Sequence, residues 1–429
     1  MTEQADDEPR SRARWLGVVL LVLALGGVAW QAWVSGFGDE PPAGAMPSGS
    51  VRQPTLREML GRIDAARLGL ESGASATSAT AAKLTISQDE VEVCGQGRKK
   101  VDDNGQLKDM APVQLAAQAA RDRLLPALLG SPDETSRAAG LLLQTLGAPG
   151  PGDAAAPTSH LLARDTLASM ALSTRSPQVY AWAMRACQNE RSEGMCQLLS
   201  ADQWARLEPS NAVAWLQVAV DAQARLDAAG VAEAMYRVSQ ASRVDAHWNG
   251  LTGLVMARLP AEMPALDKGA LVEELMTLEA SVATPHLIAS QFCTEADVRD
   301  ANRRQTCSAV ADVFHARGTT LTDVGLAAAL GERVGWPAER VDAVRDERDA
   351  VLHVYKQRAA DVRERWTCGA LDKTARRMID VSQQGEIAVM RRTLKEQPEN
   401  AAALARRYRE SVAKPPPGGA SGAVSVAVR

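Results

Sequence analysis

Cys94, Cys187, Cys196, Cys293, Cys307 and Cys368 are the residues whose type and spacing most directly imply chemistry in this chain. A structural or catalytic zinc would need Cys or His in pairs a few residues apart, and no CxxC, HExxH or CxxCH is present. His315 follows Cys307 alone, so no metal is expected. An even number of cysteines in an exported chain favours disulfides over free thiols. Spacing prefers two local bridges, Cys187 with Cys196 and Cys293 with Cys307, which leaves Cys94 and Cys368 to join across most of the chain. Other pairings remain open at this level.

Further catalytic signals are absent. There is no GxSxG elbow, no Walker A loop and no GxGxxG opening a helix, so no cofactor is expected. The five histidines are scattered. Carboxylate runs such as DDEP and RDERD lie in charged helical contexts, where such groups usually face solvent rather than work as an acid/base pair. This inventory leans against an enzyme without closing the question, because catalytic groups assemble in space rather than along the chain.

The elements that must position these residues begin with an export segment. MTEQADDEPRSRAR, residues 1–14, is polar and supplies Arg10, Arg12 and Arg14; residues 15–34 then run uncharged from Trp15 to Val34. That is the length a helix needs to cross ~30 Å of hydrocarbon. The arginines precede it and Asp39 and Glu40 follow it, which puts residues 1–14 in the cytoplasm and the rest outside. Trp15, Trp30 and Trp33 suit an aromatic belt. A cleaved signal would want a shorter run and small residues at the cleavage site, where GVAWQAWV offers Trp and Gln. LGGVAW is rich in small residues but has no GxxxG, so pairing of the anchor with another helix is only weakly indicated. An inner-membrane, single-pass protein with an extracytoplasmic domain is therefore expected.

Residues 35–53, rich in Gly, Pro and Ser, read as a flexible linker, residues 54–411 as a helical domain, and residues 412–429 as a disordered tail. The apolar fraction is 46% with only 4% aromatic, so Ala, Leu and Val carry it, and the fold class expected is all-α. PTLREMLGRIDAARLGLE is a first helix. KLTISQDEVEVCG alternates weakly and suits a short strand or extended segment that places Cys94. PVQLAAQAARDRLLPALLG is a helix that Pro126 should kink or end. Ser131, Pro132 and Glu134 read as a capping box, and Ser176 with Pro177 as a second helix start. CTEADVRDANRRQTC reads as an exposed excursion stapled at its base, residues 384–411 as one last helix, and Arg-rich stretches after Arg340 as solvated faces with i,i+4 ion pairs. The net charge of -4, with both signs interspersed, argues against a nucleic-acid partner.

ARLEPSNAVAWLQVAVDAQARLDAAG carries the most specific pattern. Pro209 ends one helix, Trp215 and Ala219 share a face of the next, and Ala234 and Ala241 offer small residues on a third, so that two helices approach closely beside the indole. Residues 196–245 thus resemble a tetratricopeptide repeat. They depart from it in a turn that reads as longer than usual and in Ala222 at the tyrosine position. The resemblance implies an array of helical hairpins, since each unit leaves an apolar face that a neighbour must cover. Its motif residues are packing residues, not ligand contacts. Together the features point to a membrane-anchored scaffold binding a protein or peptide in a bacterial-type cell envelope. The alternative is an envelope-associated hydrolase with its site between helices, for which a deep cleft with buried carboxylates or a His and carboxylate pair would be the signature.

Overall fold

Ala, Leu and Val at helical spacing from residue 111 onward produce a helix-dominated architecture. The computed structural model describes residues 90–102, 106–145, 157–188, 191–247, 249–280, 285–359 and 364–413. The anchor at 15–34, the linker at 35–53, the helix expected over 54–71 and residues 414–429 lie outside them. No helix among the described residues is long and apolar enough to cross a membrane.

The first described element is a hairpin. β1 (Glu90–Val93) pairs antiparallel with β2 (Gly97–Lys100), Val91 opposite Lys99. Val91 and Val93 point inward while Glu92 is exposed, which is the alternation of a half-buried strand. The turn brings Gly95 and Gly97 to φ of 72° and 68°, conformations that glycine adopts without a Cβ clash.

Sixteen α-helices follow among the described residues. They are α1 (Ala111–Leu129), α2 (Glu134–Thr145), α3 (Pro157–Ser173), α4 (Pro177–Ala186), α5 (Ala201–Leu207), α6 (Ala212–Ala224), α7 (Ala228–Ser239) and α8 (Gly250–Ala257). Then come α9 (Ala265–Ala280), α10 (His286–Phe292), α11 (Ala301–Arg317), α12 (Leu321–Val334), α13 (Ala338–Ala359), α14 (Cys368–Gln384), α15 (Glu386–Lys395) and α16 (Ala401–Ala413). α6 and α7 form an antiparallel hairpin; α10 packs on α6, and α11 packs on both α7 and α12. α9 packs against α1 and α14, and α13 against α16. The largest core cluster runs from α1 to α12 and is built around Trp182, Tyr180, Leu216, Met235 and Phe314, all at most 1% exposed.

Local expectations hold at some helix ends and fail at others. Ser176 caps α4 with Pro177 in the first turn. α2 starts later than Ser131: Asp133 is the cap, its carboxylate accepting from Ser136 N at 2.8 Å and Ser136 Oγ at 2.6 Å. These bonds, the side-chain one foremost, hold the Asp133 carboxyl below its usual range. α1 continues past Pro126 to Leu129. The expected last helix is two, α15 and α16, broken around Pro398, with Asn400 Oδ1 accepting from Ala403 N at 2.9 Å to restart the chain.

The segment between Cys293 and Cys307 is stapled at its base by their disulfide and most of its residues are exposed, and its second half forms the first turns of α11. Both cysteines are 0% exposed, because Cys307, Val310, Ala311 and Phe314 sit at i, i+3, i+4 and i+7 on the inner face of α11. Its polar residues occupy the opposite face. Among the described residues after Arg340, several ion pairs bridge different helices: Arg345 reaches Glu332 of α12 at 2.5 Å, Arg391 reaches Glu347 of α13 at 2.6 Å, and Arg409 reaches Asp349 of α13 at 2.7 Å, while Arg348 pairs with its neighbour Asp349.

Candidate functional site

Two openings in the helical body carry side chains that could meet a ligand. The first is a groove of about 430 Å³ between α4, α6 and α10. α4 is apolar on nearly every side, Val179 to Met184 all being buried, and Arg185 is the one charge in this run. α6 is capped by Asn211, whose Oδ1 accepts from Val213 N at 3.1 Å. That fixes Val213, Gln217 and Val220, at i, i+4 and i+7, as a stripe on the groove wall. α10 contributes Ile288, Gln291 and Leu287, the last 66% exposed. Gln223 Nε2 donates to Gln291 Oε1 at 3.2 Å and ties α6 to α10.

Arg185 is the unusual member of the groove. Its side chain is 8% exposed, and its Nη1 lies 3.8 Å from Glu279 Oε1 without making a hydrogen bond. Nη2 donates only a long bond, 3.4 Å, to the Ala246 carbonyl. Glu279 is 0% exposed and accepts from Thr252 Oγ1 at 2.7 Å and Leu251 N at 3.3 Å. Burial pushes its carboxyl up, against the pull of Arg185 and those hydrogen bonds.

The second opening is a polar cavity of about 500 Å³ lined by the start of α4, the 243–250 loop, Thr319 and Thr320, and the α14–α15 junction. One wall is organised by Glu208. Its Oε2 accepts from Trp204 Nε1 at 2.9 Å, Asn211 Nδ2 at 2.9 Å and His247 Nε2 at 3.0 Å, and its Oε1 from Arg243 Nη1 at 2.9 Å. Desolvation would raise its pKa, but the bonds to His247, Asn211 and Trp204 outweigh it and hold the carboxyl below the usual range. The loop that brings His247 into place is strained: His247 and Asn249 have φ of 52° and 60°. On the other wall Glu386 Oε2 accepts from Leu321 N at 2.9 Å, and burial pushes its carboxyl up. Behind Thr319 and Thr320, His286 Nε2 meets Asp323 Oδ1 at 2.6 Å, while Asp323 Oδ2 accepts from both threonine amides at 2.8 Å.

These bonds decide what the cavity can do. A general base needs a free lone pair within reach of a substrate proton. Glu208 is already bound by four donors, and Asp323 by two amides and an imidazole. The buried His and carboxylate pairs therefore act as clamps between chain segments: Glu208 ties α5 and the start of α6 to the 243–247 loop, and Asp323 ties α10 to α12. Among the described residues, no group of three or more His, Cys, Asp or Glu is arranged to hold a metal ion.

No protein-family model, curated protein or solved structure matches this chain.

The residues singled out from sequence are structural. Cys94 bonds Cys368, Cys187 bonds Cys196 and Cys293 bonds Cys307, the pairing that spacing prefers, and none of the six lines either opening. Trp215 is half-buried, its Nε1 donating to the Pro209 carbonyl at 2.9 Å. Ala219 and Ala234 are buried between α6 and α7, while Ala241 lies beyond the end of α7. The turn before α7 is short, Arg225 to Asp227, because Asp227 caps the helix through Gly230 N at 2.8 Å. Sequence reasoning missed Arg185, Glu208, His247 and Glu386. A signal existed for Arg185, a lone charge in the apolar run VYAWAMRA. The bonding of Glu208 to His247, 39 residues away, leaves no linear trace.

Proposed function

We propose that this protein is a membrane-anchored scaffold of a bacterial-type cell envelope that holds a protein or peptide segment in the groove between α4, α6 and α10. The groove carries the reading: three non-consecutive helices line it with aliphatic side chains, and four glutamine amides and two arginines complete the wall. An apolar floor with a few polar groups that fix orientation is the usual composition of a binding cleft. The resemblance of residues 196–245 to a tetratricopeptide hairpin supports it, since the stripe of α6 that lines the groove belongs to the first helix of that hairpin. The uncharged run at 15–34 and three disulfides agree with an anchored domain in an oxidising compartment. A hydrolase, the competing reading, would draw on Glu386 as its acid, but Glu208, the carboxylate on the opposite wall of that cavity, is already bound by four donors.

Photocrosslinking in cells tests this. A photoreactive residue placed at Leu287 or Gln217 of the full-length protein should yield a discrete adduct in the carbonate-resistant membrane fraction. The same residue at Leu226, 92% exposed on the α6–α7 turn, should not. Equal labelling from all three positions, or none from the groove, would overturn the proposal.

A further inference from the structure

The groove has a charge of one sign built into it. Its wall includes Arg185 and Arg191 and no Asp or Glu, in a chain whose net charge is -4. Arg191 sits at the rim and is paired with Asp221 at 2.7 Å, an exposed pair that salt screens. Arg185 differs. A guanidinium carries five donors in a planar fork and keeps its proton in proteins. Here it is nine-tenths buried, makes one hydrogen bond of 3.4 Å, and stands 3.8 Å from Glu279 without bonding it. Glu279, in turn, spends its oxygens on Thr252 and Leu251. A buried cation so lightly compensated is costly, because the charge has left water without recovering its hydrogen bonds. Nη1 is closed off beside Glu279, so a carboxylate arriving in the groove would pair with the rest of the guanidinium, and a charge-assisted bond is among the stronger single contacts available.

We infer that the groove selects a peptide segment in which an acidic side chain, Glu or Asp, is flanked by aliphatic residues, the carboxylate pairing with Arg185 and the aliphatic residues packing on Val213, Val220, Ile288 and Leu287. This rests on the peptide-binding reading above and adds the chemistry of the ligand. The glutamines that share the wall are neutral and accommodate the peptide backbone. A basic segment would place a second cation beside Arg185 with no carboxylate in the wall to receive it.

The probe is a randomised dodecapeptide phage library selected on the full-length protein in detergent, with Leu287→Asp, Arg185→Met and Arg185→Lys as comparators. Each variant is first checked for an unchanged helical spectrum and melt. Sequences enriched on wild type and lost on Leu287→Asp should carry Glu or Asp between aliphatic residues. A synthetic peptide from that set should bind wild type at least tenfold more weakly when its acid is replaced by Gln, about 1.4 kcal/mol. The same replacement should matter less than about twofold on Arg185→Met, with Arg185→Lys intermediate, because coupling vanishes when one partner is absent. Enriched peptides that depend on Leu287 but are neutral or basic, or that are indifferent to Arg185, would overturn this inference and leave the groove as a peptide site. Enrichment unaffected by Leu287→Asp would overturn both.

Discussion

Glu208 joins chain segments that are distant in sequence, accepting from Trp204 on α5, Asn211 at the start of α6, and Arg243 and His247 in the loop before α8. Removing an acceptor of this kind costs more than the bonds themselves, since four donors are left facing a hole. Glu208→Ala should lower the unfolding free energy by about 3–5 kcal/mol, the range for breaking a buried charged pair, read from urea transitions at pH 7. Acid dependence gives a finer test. The folded pKa of Glu208 is lowered, so its contribution is fully present above the unfolded value of about 4.3 and is lost as pH falls through the folded value. Glu386 has the opposite sign: its folded pKa is raised, so wild type loses stability as pH climbs from about 4.3 through the folded value. Urea midpoints followed from acid to pH 8 should therefore show Glu386→Gln gaining on wild type toward neutral pH and Glu208→Gln falling behind it. Parallel curves for all three proteins would refute both assignments.

At the scale of the element, α8 meets α14 at Gly253. A Cβ added there would lie 2.0 Å from Ser382 Oγ and 2.2 Å from Ser382 Cβ, so the two helices are in contact because this position has no side chain. Rotating the serine hydroxyl relieves the first clash and not the second. Gly253→Ala should then cost roughly 1–3 kcal/mol as an overpacking substitution, and Ser382→Gly in the same chain should recover part of the loss despite its own helix penalty of about 1 kcal/mol. A Gly253→Ala protein as stable as wild type in chemical denaturation would show that the helices can part freely. This contact also shows where sequence stops being informative. Ser176 before Pro177 announces a helix because cap chemistry is local, and Cys187 and Cys196 announce a bridge because a short loop holds them together. Asp133 holds the cap because the helix starts at Glu134 and its carboxylate meets Ser136, while Ser131 Oγ accepts from Asp133 N, a choice between neighbours that type alone does not make. The meeting of Gly253 with Ser382, or of α4, α6 and α10 around Arg185, depends on packing between segments tens to more than a hundred residues apart. Periodicity reports which face of a helix is apolar and says nothing of the helix that will cover it.

For the whole molecule the governing constraint is Cys94–Cys368, which closes a loop of 274 residues and fastens the β1–β2 hairpin to the start of α14. The backbone repeats the connection, Cys94 N donating to the Trp366 carbonyl at 2.9 Å. Val91, Val93, Val101 and Leu107 pack there against Leu266, Trp366 and Leu371, a cluster separate from the main core. If the unfolded chain were fully disordered, cross-linking so long a loop would stabilise by about 5–6 kcal/mol, against about 3 kcal/mol for each of the two local bridges. That model assumes the hairpin unfolds together with the helices. The residues it packs on belong to α1, α9, α14 and the turn before α14, and α9 and α14 also bury Leu271, Val272 and Met378 against their neighbours, so detaching the hairpin strips one face of helices that the rest of the body uses. Cooperative loss is therefore expected. The Cys94→Ser/Cys368→Ser protein should melt in a single transition, several degrees below the Cys187→Ser/Cys196→Ser protein, when both are scanned calorimetrically under oxidising conditions. A main transition left at the wild-type temperature, with trypsin cutting first at Arg98 to Lys100, would instead make the hairpin an independently opening flap and the long bridge a local fastener.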